Sequence, residues 1–370
     1  MTRQWLFACT ALVIAAFGPQ GTDRIVVAEL FTGSECGPCA AADGGFDKIL
    51  REYDRDEVVV LEYHIDIPVT DPMSTKETQA RADYYMFGSA AAPTAYFDGA
   101  EAYRGGGPRG WDGRYFNRVQ RFIAEAFEKA PEFVVNVGAG QGFSAATIRV
   151  NVRSFEPPGD EDLRLHIIIY EDGVDYAGFN KITVHRNVVR MMVEGPGGIP
   201  VALEDGVQEV VRLLPREVVS NPDFGVVVFV QRRRSYEILQ ARELRFGPEL
   251  PDARQLHDEG VGLAREGNFD GAIEKLAEAV TVDPEAALGH YTLGMAYAGK
   301  RMLDEAAFEW EKSLELDPEQ PEIHARISIV YEDAGNREAA IQHLEMFLEK
   351  APDHPQAGPQ RERLRKLKRG

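Results

Sequence analysis

Only three cysteines occur in 370 residues, too few for the disulfide scaffold of a small secreted protein. Apart from one N-terminal run, no stretch is long and apolar enough to span a bilayer, which excludes a polytopic membrane protein. Positive charge is also scarce. Lys+Arg number 41 against 60 Asp+Glu, and the net charge of −19 disfavours binding to nucleic-acid phosphates or anionic membrane surfaces. What is present is ordinary globular material, 44% hydrophobic and 27% charged. The length calls for two or three domains, each folding by burying its own core.

Arg3 precedes an apolar run from Trp5 to Phe17 that Gly18-Pro19 ends. A charged lead followed by an apolar stretch below spanning length describes a secretory signal peptide over residues 1–21; the alternative is an uncleaved N-terminal membrane anchor. Cys9 lies inside the run, so Cys36 and Cys39 are the cysteines expected in the exported chain. The expected location is secreted or periplasmic.

Three regimes follow. Over 22–131 strands and helices alternate: a buried strand at Ile25–Phe31, a helix bearing Phe46, Ile49, Leu50 and Tyr53, a strand at Val58–Ile65, and a helix opened by the capping pattern Ser74-x-x-Glu77. Thr94–Phe97 is a third strand with a hairpin signal at Asp98-Gly99, and a helix runs from Trp111 to Ala130. This alternation predicts an α/β domain. Over 132–247 the period becomes two, with strands predicted at Phe133–Val137, Thr147–Val152, Leu163–Tyr170, Lys181–Val193, Val207–Leu213, Val226–Gln231 and Ile238–Phe246, and an antiparallel β-sandwich is expected. From Asp252 the pattern is helical.

The helical part repeats itself. Pro284, Pro318 and Pro352 are 34 residues apart, as are Ala272, Ala306 and Ala340, and the series Gly260, Gly294, Ser328 and Leu276, Trp310, Leu344 keep the same register. Small residues at a helix crossing and a proline closing each unit suit a stacked helical hairpin. The pattern resembles the tetratricopeptide repeat, with three units over 252–353 and a basic capping tail at 354–370. That resemblance implies an all-α array whose first helices line a groove for a protein ligand. The groove-facing positions are Arg254, His257, Val261, Leu288, Tyr291, Met295, Glu322, Ala325 and Ile329, of which Arg254, His257, Tyr291 and Met295 are the partner-binding candidates. They lack the lysine- and asparagine-rich set that clamps chaperone C-termini. The tail's basic residues read as a solvated terminal face.

Cys36-Gly37-Pro38-Cys39 falls between a buried strand and a helix. At a helix start a thiolate is stabilised by free amide N–H groups, and a second cysteine three positions on can resolve a mixed disulfide. As a staple the pair is weak: closing four residues is worth about 2 kcal/mol, against about 3 for a fifteen-residue loop. A zinc reading needs two further ligands and no second Cys-x-x-Cys exists, although His64 and Asp66 stand near; no metal is expected. Pro38 fits the first helical turn at no cost in hydrogen bonds.

Strand, Cys-Gly-Pro-Cys, helix, and then Ala92-Pro93-Thr94 entering a strand resembles thioredoxin. The likeness extends to secreted thioredoxin-like proteins through Glu29-Leu-Phe-Thr32, Tyr63-His-Ile-Asp66 and Pro93-Thr-Ala-Tyr-Phe-Asp-Gly99. It implies that Pro93 is cis and faces the cysteines, and that Ala92 holds a substrate strand beside Gly37, Pro38 and Thr94. It also implies that Glu29 is the buried acid serving Cys39. Glu35 replaces the family's tryptophan. His64 with Asp66 offers either a proton relay or a histidine capped by a carboxylate, and His185 and Arg190 read as structural. The expected function is an exported thiol–disulfide oxidoreductase acting on a protein substrate or redox partner, with Cys36 attacking and Cys39 resolving. Its only cofactor would be the redox-active Cys36–Cys39 pair, and the repeats would recruit a protein. The alternative is a non-catalytic adaptor in which both modules bind protein.

Overall fold

The computed structural model describes residues 24–86, 90–156, 162–203 and 206–369, and the expected signal segment lies outside them. The described residues form two compact units, residues 24–139 with 148–250, and residues 140–147 with 251–369.

In the first unit β14 (Ile238–Arg245), β13 (Phe224–Arg232), β7 (Leu163–Glu171), β10 (Val188–Val193), β2 (Val58–His64), β1 (Val26–Thr32), β3 (Thr94–Phe97) and β4 (Ala100–Arg104) lie side by side in that order in one sheet, and β11 (Ile199–Pro200) pairs with β7. The sheet's centre is the parallel pair β1 and β2, in register from Val26 opposite Val58 to Thr32 opposite His64. Both strands are buried on both faces because helices cover both. Val26, Ala28, Leu30, Val58 and Val60 pack against α1 (Ala40–Glu52) and α3 (Asp112–Phe127). Val27, Phe31, Val59, Leu61 and Tyr63 pack against α2 (Lys76–Met86). Side chains alternate along a strand, so odd positions of β1 and β2 face α2 and even positions face α1. β3 (Thr94–Phe97) and β4 (Ala100–Arg104) form an antiparallel hairpin beside β1. Its turn, Asp98-Gly99, takes the positive φ values of 46° and 77° that suit a tight hairpin. The start of α2 departs from expectation: Thr75 and Thr78, one residue later than Ser74 and Glu77, bond each other's backbone N–H reciprocally.

A separate β-sandwich at 132–247 does not form. The middle strands lie close to their expected positions, but β7 (Leu163–Glu171), β10 (Val188–Val193), β13 (Phe224–Arg232) and β14 (Ile238–Arg245) extend the first sheet. β10 joins β2 in parallel, and β7, β13 and β14 follow antiparallel. The reason lies in their composition. Leu165 to Tyr170 and Val226 to Val230 are near-continuous apolar runs rather than alternating ones, and such strands need cover on both faces. β5 (Phe133–Gln141), β6 (Ala146–Ser154) and β12 (Val207–Leu214) make a three-stranded sheet, and β8 (Val174–Asp175) with β9 (Val184–His185) a short pair.

The second unit is three helical hairpins, α5 (Ala253–Arg265) with α6 (Phe269–Val282), α7 (Ala287–Gly299) with α8 (Leu303–Leu316), and α9 (Pro321–Asp333) with α10 (Arg337–Lys350), closed by α11 (Ala357–Arg369). The repeat register explains the packing. Ala272, Ala306 and Ala340 are fully buried, and any Cβ on Gly260 or Gly294 would strike Leu276 or Trp310 within 2.7 Å. Asn268 and Asn336 cap the second helices of their hairpins. The basic tail is engaged: Arg363 bonds the Ser328 carbonyl at 2.9 Å and pairs with Glu332. No helix among the described residues is long and apolar enough to cross a membrane.

Candidate functional site

β1 delivers its C-terminal end to a turn at Gly33, and the chain enters a short 3₁₀ turn, Gly37–Cys39, that runs into α1. Cys36 and Cys39 are joined as a disulfide with Cα atoms 5.3 Å apart. Pro38 sits in this first turn, where its missing N–H leaves nothing unsatisfied. The Cys36 Sγ is 3.8 Å from the Ala92 carbonyl, and the Ala92–Pro93 bond is cis. The chain leaving β4 binds the two segments together: Gly105 N–H donates to Pro93 O at 3.0 Å and Gly107 N–H to Pro38 O at 2.8 Å. Only glycine fits between them, since a Cβ on Gly106 would lie 1.9 Å from Pro38 O and 2.7 Å from the Pro93 ring. The fold thus gathers Cys36, Gly37, Pro38, Cys39, Ala92 and Pro93, with Thr94 beginning β3 and bonding the Ala91 carbonyl at 2.7 Å.

Glu29 is not part of this group. It occupies an odd position of β1 and faces α2, where Arg81 grips it at 3.0 and 3.3 Å and the Tyr85 hydroxyl donates to it at 2.5 Å. The buried acid on the cysteines' side is Asp43, one helical turn beyond Cys39 on α1. The Thr32 hydroxyl and the Asn180 amide both donate to it, the latter at 3.0 Å. Burial pushes the Asp43 carboxyl up to about 7, with Thr32 pulling in the opposite direction. The i, i+4 spacing from Cys39 to Asp43 was the sequence signal for this acid.

Behind the loop lies a second buried polar group. His64 Nδ1 is 3.0 Å from Asp71 Oδ2, and the same oxygen accepts from Ser34 N–H at 2.5 Å. The carboxylate on His64 is therefore Asp71 and not Asp66, which is exposed and accepts from Asp71 N–H. The segment from β8 to β9 folds over the cysteine loop. Asn180 N–H donates to Ser34 O at 2.9 Å, and Tyr176 donates its hydroxyl to Glu35 at 3.3 Å. The Phe179 ring lies 3.4 Å from where a Cβ on Gly37 would be, although the residue as a whole is 68% exposed. Cys36 is 4% exposed and Cys39 fully buried. None of Phe179, Asn180 or Asp71 was singled out by sequence, because each reaches the site through a long-range pairing.

In the second unit the four groove candidates divide into two pairs. The hairpin tip 140–147 packs against the first hairpin: Phe143 stacks edge-on against His257 at 5.3 Å and its carbonyl accepts from Arg254. Asp283 anchors the same residue by accepting from Phe143 N–H at 2.7 Å. Arg254 and His257 are thus engaged within the chain. Tyr291 and Met295 lie on α7 with Leu288; Leu288 and Met295 are exposed, as is Ile329 of α9, one 34-residue repeat beyond Met295. Arg326 reaches over the Tyr291 ring at 5.8 Å.

No curated protein matches the sequence. Among solved structures, HBP35 of Porphyromonas gingivalis is 17% identical, with 63% of this chain and 78% of that one covered and a TM-score of 0.52, a likeness of fold alone. A structural-genomics target from Agrobacterium tumefaciens is 21% identical over 62% of this chain and 97% of its own, at a TM-score of 0.41. The second TPR domain of human RPAP3, solved with an HSP70 peptide, is 25% identical over 32% of this chain and 99% of its own, at 0.29. The family profile Tetratricopeptide repeat matches residues 287–320, the hairpin of α7 and α8. The C-terminal helical array of this chain carries tetratricopeptide repeats.

Proposed function

We propose that the chain is a protein-binding adaptor whose repeat groove takes a polypeptide along the strip of Leu288, Tyr291, Met295 and Ile329. One observation carries this reading: three large apolar side chains on two groove helices stand exposed, Leu288 at 51%, Met295 at 36% and Ile329 at 48%. An exposed apolar strip on a repeat array is the ordinary form of an interaction surface. The sequence-based order of the two functions is thereby reversed. Peptides selected from a displayed random library against the full-length protein should lose affinity about tenfold or more with Leu288→Glu or Met295→Glu, a change of about 1.4 kcal/mol or more. Undiminished binding by both variants, measured by calorimetry, would overturn the groove reading. Both residues are exposed, so the array keeps its core.

A second reading, thiol–disulfide exchange in a thioredoxin-like unit, is favoured by the Cys36–Cys39 disulfide at the start of α1 beside Pro93. In the reduced form the Cys36 thiolate attacks a substrate disulfide, and one substrate sulfur leaves as a thiol. Asp43 accepts the Cys39 proton, Cys39 attacks Cys36, and the second substrate sulfur departs. The substrate gains two electrons and two protons, and the Cys36–Cys39 bond reforms. Protein-disulfide turnover should vanish in Cys36→Ser and accelerate in Phe179→Ala, which uncovers Gly37. Equal turnover in the wild type and Cys36→Ser would end this reading and leave the adaptor alone.

A further inference from the structure

On the α1 face of β2, three side chains from two distant segments converge: Glu62 and His64 at successive even positions, and His185 from β9. Their ligating atoms all lie within 4.8 Å of one another, and the two imidazole rings meet edge to face at 4.9 Å. The residues are 1%, 0% and 1% exposed. Each presents a polar atom with no hydrogen-bond partner: Glu62 Oε2, His64 Nε2 and His185 Nδ1. Three orphaned buried polar atoms in one place are costly, at about 1–3 kcal/mol each, unless something occupies the space between them.

The remaining atoms of the group are partnered in the way metal ligands are. His64 Nδ1 is held by Asp71 at 3.0 Å, and His185 Nε2 by the Tyr176 carbonyl at 3.2 Å. Each outer partner accepts the N–H of one ring nitrogen and so turns the other, as a bare acceptor, toward the shared point. We propose that Glu62, His64 and His185 form a binding site for a first-row divalent cation of the Zn²⁺ class. Two imidazoles and one carboxylate are a borderline donor set that suits Zn²⁺ and not the all-oxygen preference of Mg²⁺ or Ca²⁺. Tetrahedral bonds of about 2.0–2.2 Å need ligand atoms about 3.3 Å apart, so side-chain shifts of about 1 Å close the present spacing. Three protein ligands leave one position for water. The cation would pin the segment carrying Tyr176, Phe179 and Asn180 to β2, independently of which function the cysteine loop serves.

The test uses the full-length, tag-free protein carrying Cys9→Ser, with Cys36 and Cys39 oxidised so that no thiolate competes, after dialysis against a chelator. Titration with Co²⁺ should produce visible ligand-field bands that saturate at one equivalent, and Zn²⁺ should displace them. His185→Ala should abolish stoichiometric binding, and Asp71→Asn should weaken it by about 10- to 100-fold. Should His185→Ala fail to fold by circular dichroism, X-ray absorption of the Zn²⁺-loaded wild type decides the matter directly, with two imidazole nitrogens and oxygen expected in the shell. No stoichiometric binding, unchanged binding in a folded His185→Ala, or a shell without imidazole would overturn the site.

Discussion

Arg81→Met is expected to cost about 3–5 kcal/mol of folding stability, the range found when one partner of a buried ion pair is removed. Arg81 and Glu29 are fully buried, and the guanidinium also bonds the Tyr85 hydroxyl at 3.0 Å and Gln231 Oε1 at 3.1 Å. It lies over the rings of Tyr85 and Phe229 at 4.6 and 5.4 Å. The loss comes less from the missing attraction than from the Glu29 charge left without a partner in an apolar layer. The double variant Glu29→Gln with Arg81→Met should therefore be more stable than Arg81→Met alone, by urea denaturation at pH 7. If Glu29→Gln kept full stability and lost disulfide exchange instead, Glu29 would return to the proton-transfer role that the resemblance implied for it.

That reassignment shows what could be read from the residues and what could not. Element positions are legible because they depend on local patterns: the pattern places Thr94–Phe97 to the residue, and the 34-residue register places Ala272, Ala306, Ala340, Gly260 and Gly294 at helix crossings, though not Gly289 or Gly299. Pairings across the chain are not. The number and turn signals of the middle strands resemble a sandwich, yet the unbroken runs of β7 and β13 ask for cover on both faces. The face of Glu29 was available from strand parity, since Val27 and Phe31 share it and Thr32 does not. His185 is a different case. Nothing in its neighbours announces that β9 will bring it to His64, 121 positions away in the numbering. Its contribution exists only once β10 pairs with β2. Phe143 likewise enters the repeat unit from a hairpin more than 100 residues earlier than the helix it touches.

Asp43→Asn is expected to stabilise the protein in mildly alkaline solution and to do nothing useful in acid. Burial raises the Asp43 carboxyl from 3.8 to about 7 in the folded chain, while the unfolded chain keeps the ordinary value. Between those values the folded state holds a proton that the unfolded state has released, so stability falls as pH rises from about 4 to about 7 and stays low above it. Three pKa units correspond to about 4 kcal/mol at most. Asparagine removes that penalty but keeps only part of the bonding to Thr32 and Asn180, a loss of about 1 kcal/mol. The net gain should be about 2–3 kcal/mol at pH 8 and near zero or negative at pH 4, read from urea unfolding at the two pH values. Under the thiol–disulfide reading proposed above, Asp43, one helical turn beyond Cys39, is the acid that would take the Cys39 proton. In reduced protein the same substitution should therefore slow release of a mixed disulfide at Cys36 and remove an inflection near pH 7 from its rate profile. A stability change equal at both pH values would sink the buried-acid account, and an unchanged rate profile would detach Asp43 from the thiols.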